Sequence, residues 1–145
     1  MGEAAGLIKT DGARRKKVSY IGAPACFALE QAAKILCEAF DDDDGPFGIY
    51  VVGSCLDRPD WRDVDVRMIM SDEAFGKLFP KAQLINAAWE FDPRWCLMAV
   101  TISAWLRERT GLPIDFQIHP MTWANERNKG KPRHAIGLSY SPRCA

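Results

Sequence analysis

Apolar positions along this chain fall into two periodicities. Behind Pro24, a residue suited to a first helical turn, Ala28, Ala32, Ile35, Leu36 and Ala39 recur at helical spacing and predict an amphipathic helix ending near Phe40. The stretch "DDDDGP" that follows opposes a helix dipole and is read as a loop. "FGIYVVG" is short, nearly all apolar and β-branched, as expected of a strand buried on both faces. "VDVRMIM" then alternates, placing Val64, Val66, Met68 and Met70 on one face and Asp65, Arg67 and Ile69 on the other. Ser71 with Asp72 and Glu73 marks a helix start. From about Leu84 to Arg109 the large apolar residues predict two helices divided near Asp92-Pro93, much of both buried. Gly111 closes the second, and "LPIDFQIH" is a strand in which Ile114, Phe116 and Ile118 alternate with Asp115 and Gln117. A short helix, "MTWANERN", and a basic tail, "KGKPRHAIGLSYSPR", finish the chain.

Composition narrows the class. A chain of 145 residues with 48% hydrophobic and 26% charged side chains has the profile of one compact domain. That domain is expected over residues 19–145, behind a flexible basic arm over 1–18 that carries "RRKK". The 19 basic and 19 acidic side chains cancel, so no overall field draws the protein onto a polyanion, and any nucleic-acid contact must be local. Cys26, Cys37, Cys55, Cys96 and Cys144 are odd in number and contain no C-x-x-C pair, which argues against a zinc knuckle and against a disulfide framework. Reduced thiols, with no signal peptide or membrane-length apolar run, predict a cytoplasmic protein that does not engage a membrane.

Three acids stand out because each opposes the apolar face of a strand. Asp63 and Asp65 project to the same side, since strand side chains repeat every two residues, and Asp115 joins them if its strand lies alongside. Gathered carboxylates repel unless a cation neutralises them, and hard oxygen ligands suit Mg²⁺ or Mn²⁺. Upstream, Gly53 lets main chain approach a phosphate closely, and Ser54 adds a hydroxyl donor.

Gly53-Ser54 followed by Asp63-Val64-Asp65-Val66 and a later strand Asp115 resembles the signature of the DNA polymerase beta-type nucleotidyltransferase superfamily, nearest its minimal and aminoglycoside-type members. The likeness spans about residues 24 to 118. It implies an α/β fold with a small mixed sheet flanked by helices. It also implies metal-dependent transfer of a nucleoside monophosphate from a nucleoside triphosphate, ATP or another, to an acceptor hydroxyl with release of pyrophosphate. Carried across, Asp63, Asp65 and Asp115 would be catalytic and would ligate Mg²⁺, while Gly53 and Ser54 would hold the triphosphate. Family members commonly carry an Arg-Gly segment soon after the Gly-Ser; here "CLDRPDWRD" offers Arg58 and Arg62 for the phosphates instead.

Other features are weaker. The run Asp41 to Asp44 fails calcium-loop spacing, because with Gly45 in the sixth position the first would be Phe40 and the twelfth Val51. His119 and His134 read as a strand-end and a loop residue, and the five tryptophans as core. Lys129, Lys131 and Arg133 suit phosphates, an acceptor or plain surface charge. The alternative to an enzyme is a catalytically silent interaction module of the same fold, a toxin–antitoxin-type partner or a nucleic-acid binder using the basic arm and tail. The acceptor is open, and a homodimer or a partner protein is one way for a chain this size to complete its site.

Overall fold

The computed structural model describes residues 19–40, 45 and 47–138. The arm over 1–18, the run Asp41 to Asp44 and the chain end from 139 onward, Cys144 included, lie outside the described residues. In chain order the elements are α1 (Ala25–Phe40), β1 (Phe47–Val52), a 3₁₀ turn (Ser54–Leu56), β2 (Val64–Met70), α2 (Asp72–Leu78), a 3₁₀ segment (Ile85–Phe91), α3 (Pro93–Thr110), β3 (Ile114–Pro120), α4 (Met121–Arg127) and β4 (His134–Ile136). The strands form one mixed sheet in the order β3-β2-β1-β4. β1 runs antiparallel to β2 and β4, and β2 runs parallel to β3. The architecture is therefore α/β, a small mixed sheet flanked by helices, as expected.

One face of the sheet makes the core. Ile49, Val51, Val66, Met68, Phe116 and Ile118 are at most 1% exposed and join Leu29 and Leu36 of α1 and Leu106 of α3 in a single cluster. Burying each such side chain is worth roughly 1.5–3 kcal/mol, so this face fixes which way every strand points. On the opposite face the same alternation sets Tyr50 and Val52 of β1 beside Asp65 and Arg67 of β2, and Asp115 and Gln117 of β3. β1 is thus not buried on both faces: Gly48, Tyr50 and Val52 are only half-buried, because that side of the sheet carries the polar residues of β2 and β3.

β3 is an edge strand, and α3 laces its open side. Trp95 Nε1 donates to the Ile118 carbonyl at 2.8 Å, the Phe116 N–H donates to Ser103 Oγ at 2.9 Å, and Arg107 Nε donates to the Ile114 carbonyl at 2.9 Å. Side chains on one stripe of the helix thereby satisfy main-chain groups that would otherwise template another strand. Asp92 caps α3, its Oδ2 accepting the Trp95 N–H at 3.0 Å, with Pro93 in the first turn.

Two further elements differ from expectation. Residues before Asp92 form a 3₁₀ segment rather than an α-helix, because Asn86 (φ 56) and Ala87 (φ 59) adopt left-handed backbone that breaks the helical ladder. What holds the segment is Trp89, wholly buried against Phe75, Trp95, His119 and Trp123 at ring-centroid distances of 5.2–5.7 Å. Within the basic tail, His134–Ile136 is a short strand, pairing Ile136 with Ile49 and His134 with Val51. No described helix is long and apolar enough to cross a membrane.

Candidate active site

The parallel pairing of β2 with β3 puts Asp65 directly opposite Asp115 on the polar face. Between them lies Arg67, two residues after Asp65 and so on the same side. Its Nη2 is 3.4 Å from Asp115 Oδ2 and 3.8 Å from Asp65 Oδ1. Nη1 donates to the carbonyls of Asp115 (2.8 Å) and Val66 (3.1 Å), which pins the guanidinium to the main chain of both strands. The side chain of Arg67 is 14% exposed, that of Asp65 28% and that of Asp115 48%, so Asp115 is the more open acid of the pair. Burial lifts the Asp65 carboxyl above the ordinary carboxylate range; Arg67 opposes the rise, and the charges of Asp115 and Asp63 add to it.

Asp63 does not share the strand. β2 begins at Val64, whose N–H donates to the Pro113 carbonyl at 3.0 Å, and Asp63 sits exposed in the connection ahead of it. That connection is tied down from elsewhere: the Tyr20 N–H donates to the Cys55 carbonyl at 2.7 Å, and Trp61 Nε1 donates to the Tyr20 carbonyl at 3.0 Å. Among the described residues no group of three or more Asp, Glu, His or Cys side chains is gathered closely enough to hold a metal ion. Asp65 and Asp115 thus meet in register, and Asp63, exposed ahead of β2, stays near enough for its charge to act on Asp65. A carboxylate pair still suits one Mg²⁺, an ion that keeps several waters and takes one or two protein carboxylates plus substrate phosphate oxygens.

Gly53 stands at the end of β1 with φ 86 and ψ −162, backbone that only glycine adopts readily, and a Cβ there would strike Asp65 Oδ2. The 3₁₀ turn that follows turns the Leu56 N–H back to the Gly53 carbonyl and the Asp57 and Arg58 N–H groups to the Ser54 carbonyl. Beside it opens a cleft of about 390 Å³ lined by Gly53, Asp57, Asn128, Lys131 and Arg133 among others. Arg133 is held there by Asn125 Oδ1 at 2.9 Å and by the Tyr50 ring, 4.7 Å below its guanidinium carbon. A second cleft, about 410 Å³, includes Arg67, Asn86, Gln117, His119, Trp123 and Arg127 in its lining. Val52 and Asn128 line both clefts, so the two open side by side. Asp65 and Asp115 are in neither lining; they adjoin the clefts through neighbours, since Gly53 of the first cleft lies against Asp65 and Arg67 of the second pairs with both acids.

Among the basic candidates, Arg58 pairs with Asp60 at 3.4 Å in solvent, Arg62 is exposed, and neither lines either of these two clefts; Lys131 and Arg133 line the first. Lys129 is exposed outside both linings. Arg67 had no assigned role in the sequence reading, although its spacing from Asp65 placed it on the same face.

Burial shifts two neighbouring titratable groups away from charge. Burial, with the positive charges of Arg67 and Arg127, pushes the His119 pKa down to about 3, so the ring is neutral at physiological pH and its Nε2–H donates to Gln117 Oε1 at 2.9 Å. Burial, with the Asp65 charge, pushes the Cys55 thiol up to about 11, which favours its protonated form at neutral pH. No protein-family model, curated protein or solved structure matches this chain.

Proposed function

We propose that the polar face of the sheet binds a nucleoside triphosphate, with ATP the first candidate, and transfers its nucleoside monophosphate to an acceptor hydroxyl with release of pyrophosphate. This is the activity that the resemblance to polymerase beta-type nucleotidyltransferases implies. The observation that carries the reading is the in-register pair Asp65–Asp115, with Gly53 pressed on Asp65 and the basic wall of Lys131 and Arg133 beside it.

In this reading the Gly53 main chain, the Ser54 hydroxyl, Lys131 and Arg133 hold the polyphosphate. Asp115, the more open carboxylate, accepts the proton of the acceptor hydroxyl. The acceptor oxygen forms its bond to the α-phosphorus as the bond to the β-phosphate oxygen breaks, and the electron pair leaves with pyrophosphate. Bound Mg²⁺ supplies charge neutralisation at the reacting phosphate, and Asp65 and Asp115 are the residues that would hold it, with Asp63 within electrostatic reach of Asp65. Arg67 balances the acids before any ligand arrives.

The test is incubation of the full chain with each α-labelled triphosphate, Mg²⁺ or Mn²⁺ and a cell extract. A labelled acceptor and free pyrophosphate are expected, and both should disappear in Asp65→Asn and Asp115→Asn variants that keep the wild-type circular dichroism. Undiminished labelling by either variant would refute the roles given to the acids.

A second reading, a catalytically silent triphosphate-binding module, is favoured by one observation. Arg67 already pairs with both acids, so they need no ion to coexist. Saturable triphosphate binding with no product from any acceptor source would select it. In either reading the protein works in the cytoplasm, consistent with Cys26, Cys37, Cys55 and Cys96 standing outside any disulfide.

A further inference from the structure

The outer side of α3 stands in solvent. Its inner stripe of Trp95, Ala99, Ser103 and Leu106 is buried, while Leu97, Val100 and Ala104 on the opposite side are exposed. Leu97 is 70% and Val100 68% exposed, one turn apart on one face. Single exposed apolar residues are ordinary on protein surfaces, so the pattern around this pair decides its meaning.

That pattern is charge set against its own helix. Arg94 sits in the first turn of α3, at the positive end of the macrodipole, and Glu108 in the last turn, at the negative end. Both are exposed, and neither forms an ion pair among the described residues. Nearby groups of opposite sign are engaged: Asp92 caps the helix, Arg107 Nε donates to the Ile114 carbonyl, and Arg109 lies over the Trp105 ring at 5.0 Å. A second helix running antiparallel reverses the mismatch, bringing its negative end to Arg94 and its positive end to Glu108. Arg94, Leu97, Thr101, Ala104 and Glu108 recur at alternating steps of three and four, the spacing of a helix–helix seam. About a two-fold axis near Val100 and Thr101, Arg94 comes beside Glu108 of a second copy and Leu97 beside its Ala104, and symmetry repeats each contact. A formal net charge of zero leaves two copies with no overall repulsion.

We infer that α3 is a homodimerisation helix: two copies of this chain pack their α3 helices antiparallel, with Leu97, Val100 and Ala104 in the seam and an Arg94–Glu108 ion pair at each end. The inference is independent of the nucleotidyl-transfer reading. No residue of α3 lines either cleft beside the acid pair, so paired chains keep both open. Because the inner side of α3 already covers the edge of β3, the copies join through helices rather than by adding strand to strand.

Sedimentation equilibrium of the full chain, from about 1 to about 100 µM, reads the assembly directly. Wild type is expected to be dimeric at the upper end. Leu97→Glu and Val100→Glu should be monomeric throughout, with wild-type circular dichroism because both positions are exposed in the single chain. Arg94→Glu and Glu108→Arg should each weaken the dimer about tenfold, since a like-charge contact replaces an attraction at both ends. The double variant Arg94→Glu/Glu108→Arg exchanges the signs and should dimerise within about threefold of wild type. It keeps the test decisive if an apolar variant does not fold. A wild-type chain that stays monomeric, a dimer that Leu97→Glu and Val100→Glu leave intact, or a double variant no better than its singles would each overturn the inference. The first of these would leave the face to a different protein.

Discussion

Gly53 and Asp65 are packed so closely that no other residue fits at position 53 without moving the carboxylate. The contact couples the end of β1 to the acid pair, and the Gly53 backbone (φ 86, ψ −162) adds a second reason for glycine. Gly53→Ala should therefore cost about 1–3 kcal/mol of stability from backbone strain. It should also displace Asp65 from its partners. Urea unfolding checks the first effect; loss of Mn²⁺ and triphosphate binding by a variant still folded at low urea checks the second. An alanine variant with wild-type stability and binding would mean that the turn relaxes freely and that Gly53 positions nothing.

Asp65 is a destabilising choice for the fold. Burial and the charges of Asp115 and Asp63 favour its neutral form, with only Arg67 opposing them. Asp65→Asn keeps the shape and removes the charge, so its thermal midpoint at pH 7 should be higher than that of wild type while triphosphate transfer is lost. Charges held against stability in this way are a mark of function, because selection for folding alone would remove them. A lower midpoint would mean that the Asp65–Arg67 pair outweighs the cost of burial.

The pH dependence of folding follows from His119. Its folded pKa, about 3, lies below the ordinary value of 6.5, so between those values the unfolded chain binds the proton and the folded chain does not. Stability from this group is full above pH 6.5 and is lost as pH falls toward 3, with a slope of at most about 1.4 kcal/mol per pH unit. Asp65 acts in the opposite sense just above its ordinary value of 3.8, because its folded pKa is raised. Denaturant unfolding of wild type and His119→Phe at pH 7, 6 and 5 isolates the histidine. The phenylalanine variant keeps a ring for Trp89 and Trp123 to pack on, and its stability should fall less over that range. Parallel slopes would remove His119 from the account.

Alternation made the polar face of β2 and β3 legible from sequence, because burial of one face alone fixes the side of every other residue. Asp65, Arg67, Asp115 and Gln117 could be read onto that face in advance. The in-register meeting of Asp65 with Asp115 could not, since strand pairing is settled by packing between distant segments. Asp63 falls outside the strand for a related reason: period two continues past the strand end on paper, while in the molecule β2 starts at Val64 and the connection before it is anchored by Tyr20 and Trp61. β4 was invisible because three residues are too short to show a period, yet its pairing with β1 is what brings the basic tail beside Gly53.

The basic residues offer the sharpest contest between sequence proximity and spatial proximity. Arg58 and Arg62 lie closest in the chain to Gly53-Ser54, but Arg58 spends its charge on Asp60 in solvent and neither lines either of the two clefts beside the acids' neighbours Gly53 and Arg67. Lys131 and Arg133 arrive from the far end of the chain and line the cleft that Gly53 opens. If the polyphosphate sits there, Lys131→Ala and Arg133→Ala should each weaken triphosphate binding about tenfold, the value of one charge-assisted contact of roughly 1.5 kcal/mol. Arg58→Ala and Arg62→Ala should leave it within about twofold, as solvated surface charges do. Fluorescence titration with a trinitrophenyl-labelled ATP, repeated at two salt concentrations, measures all four. Arg133→Ala also loses the Tyr50 ring contact, so its stability is measured alongside. A larger effect at Arg58 or Arg62 than at Lys131 would move the phosphate site out of the cleft and onto the connection before β2.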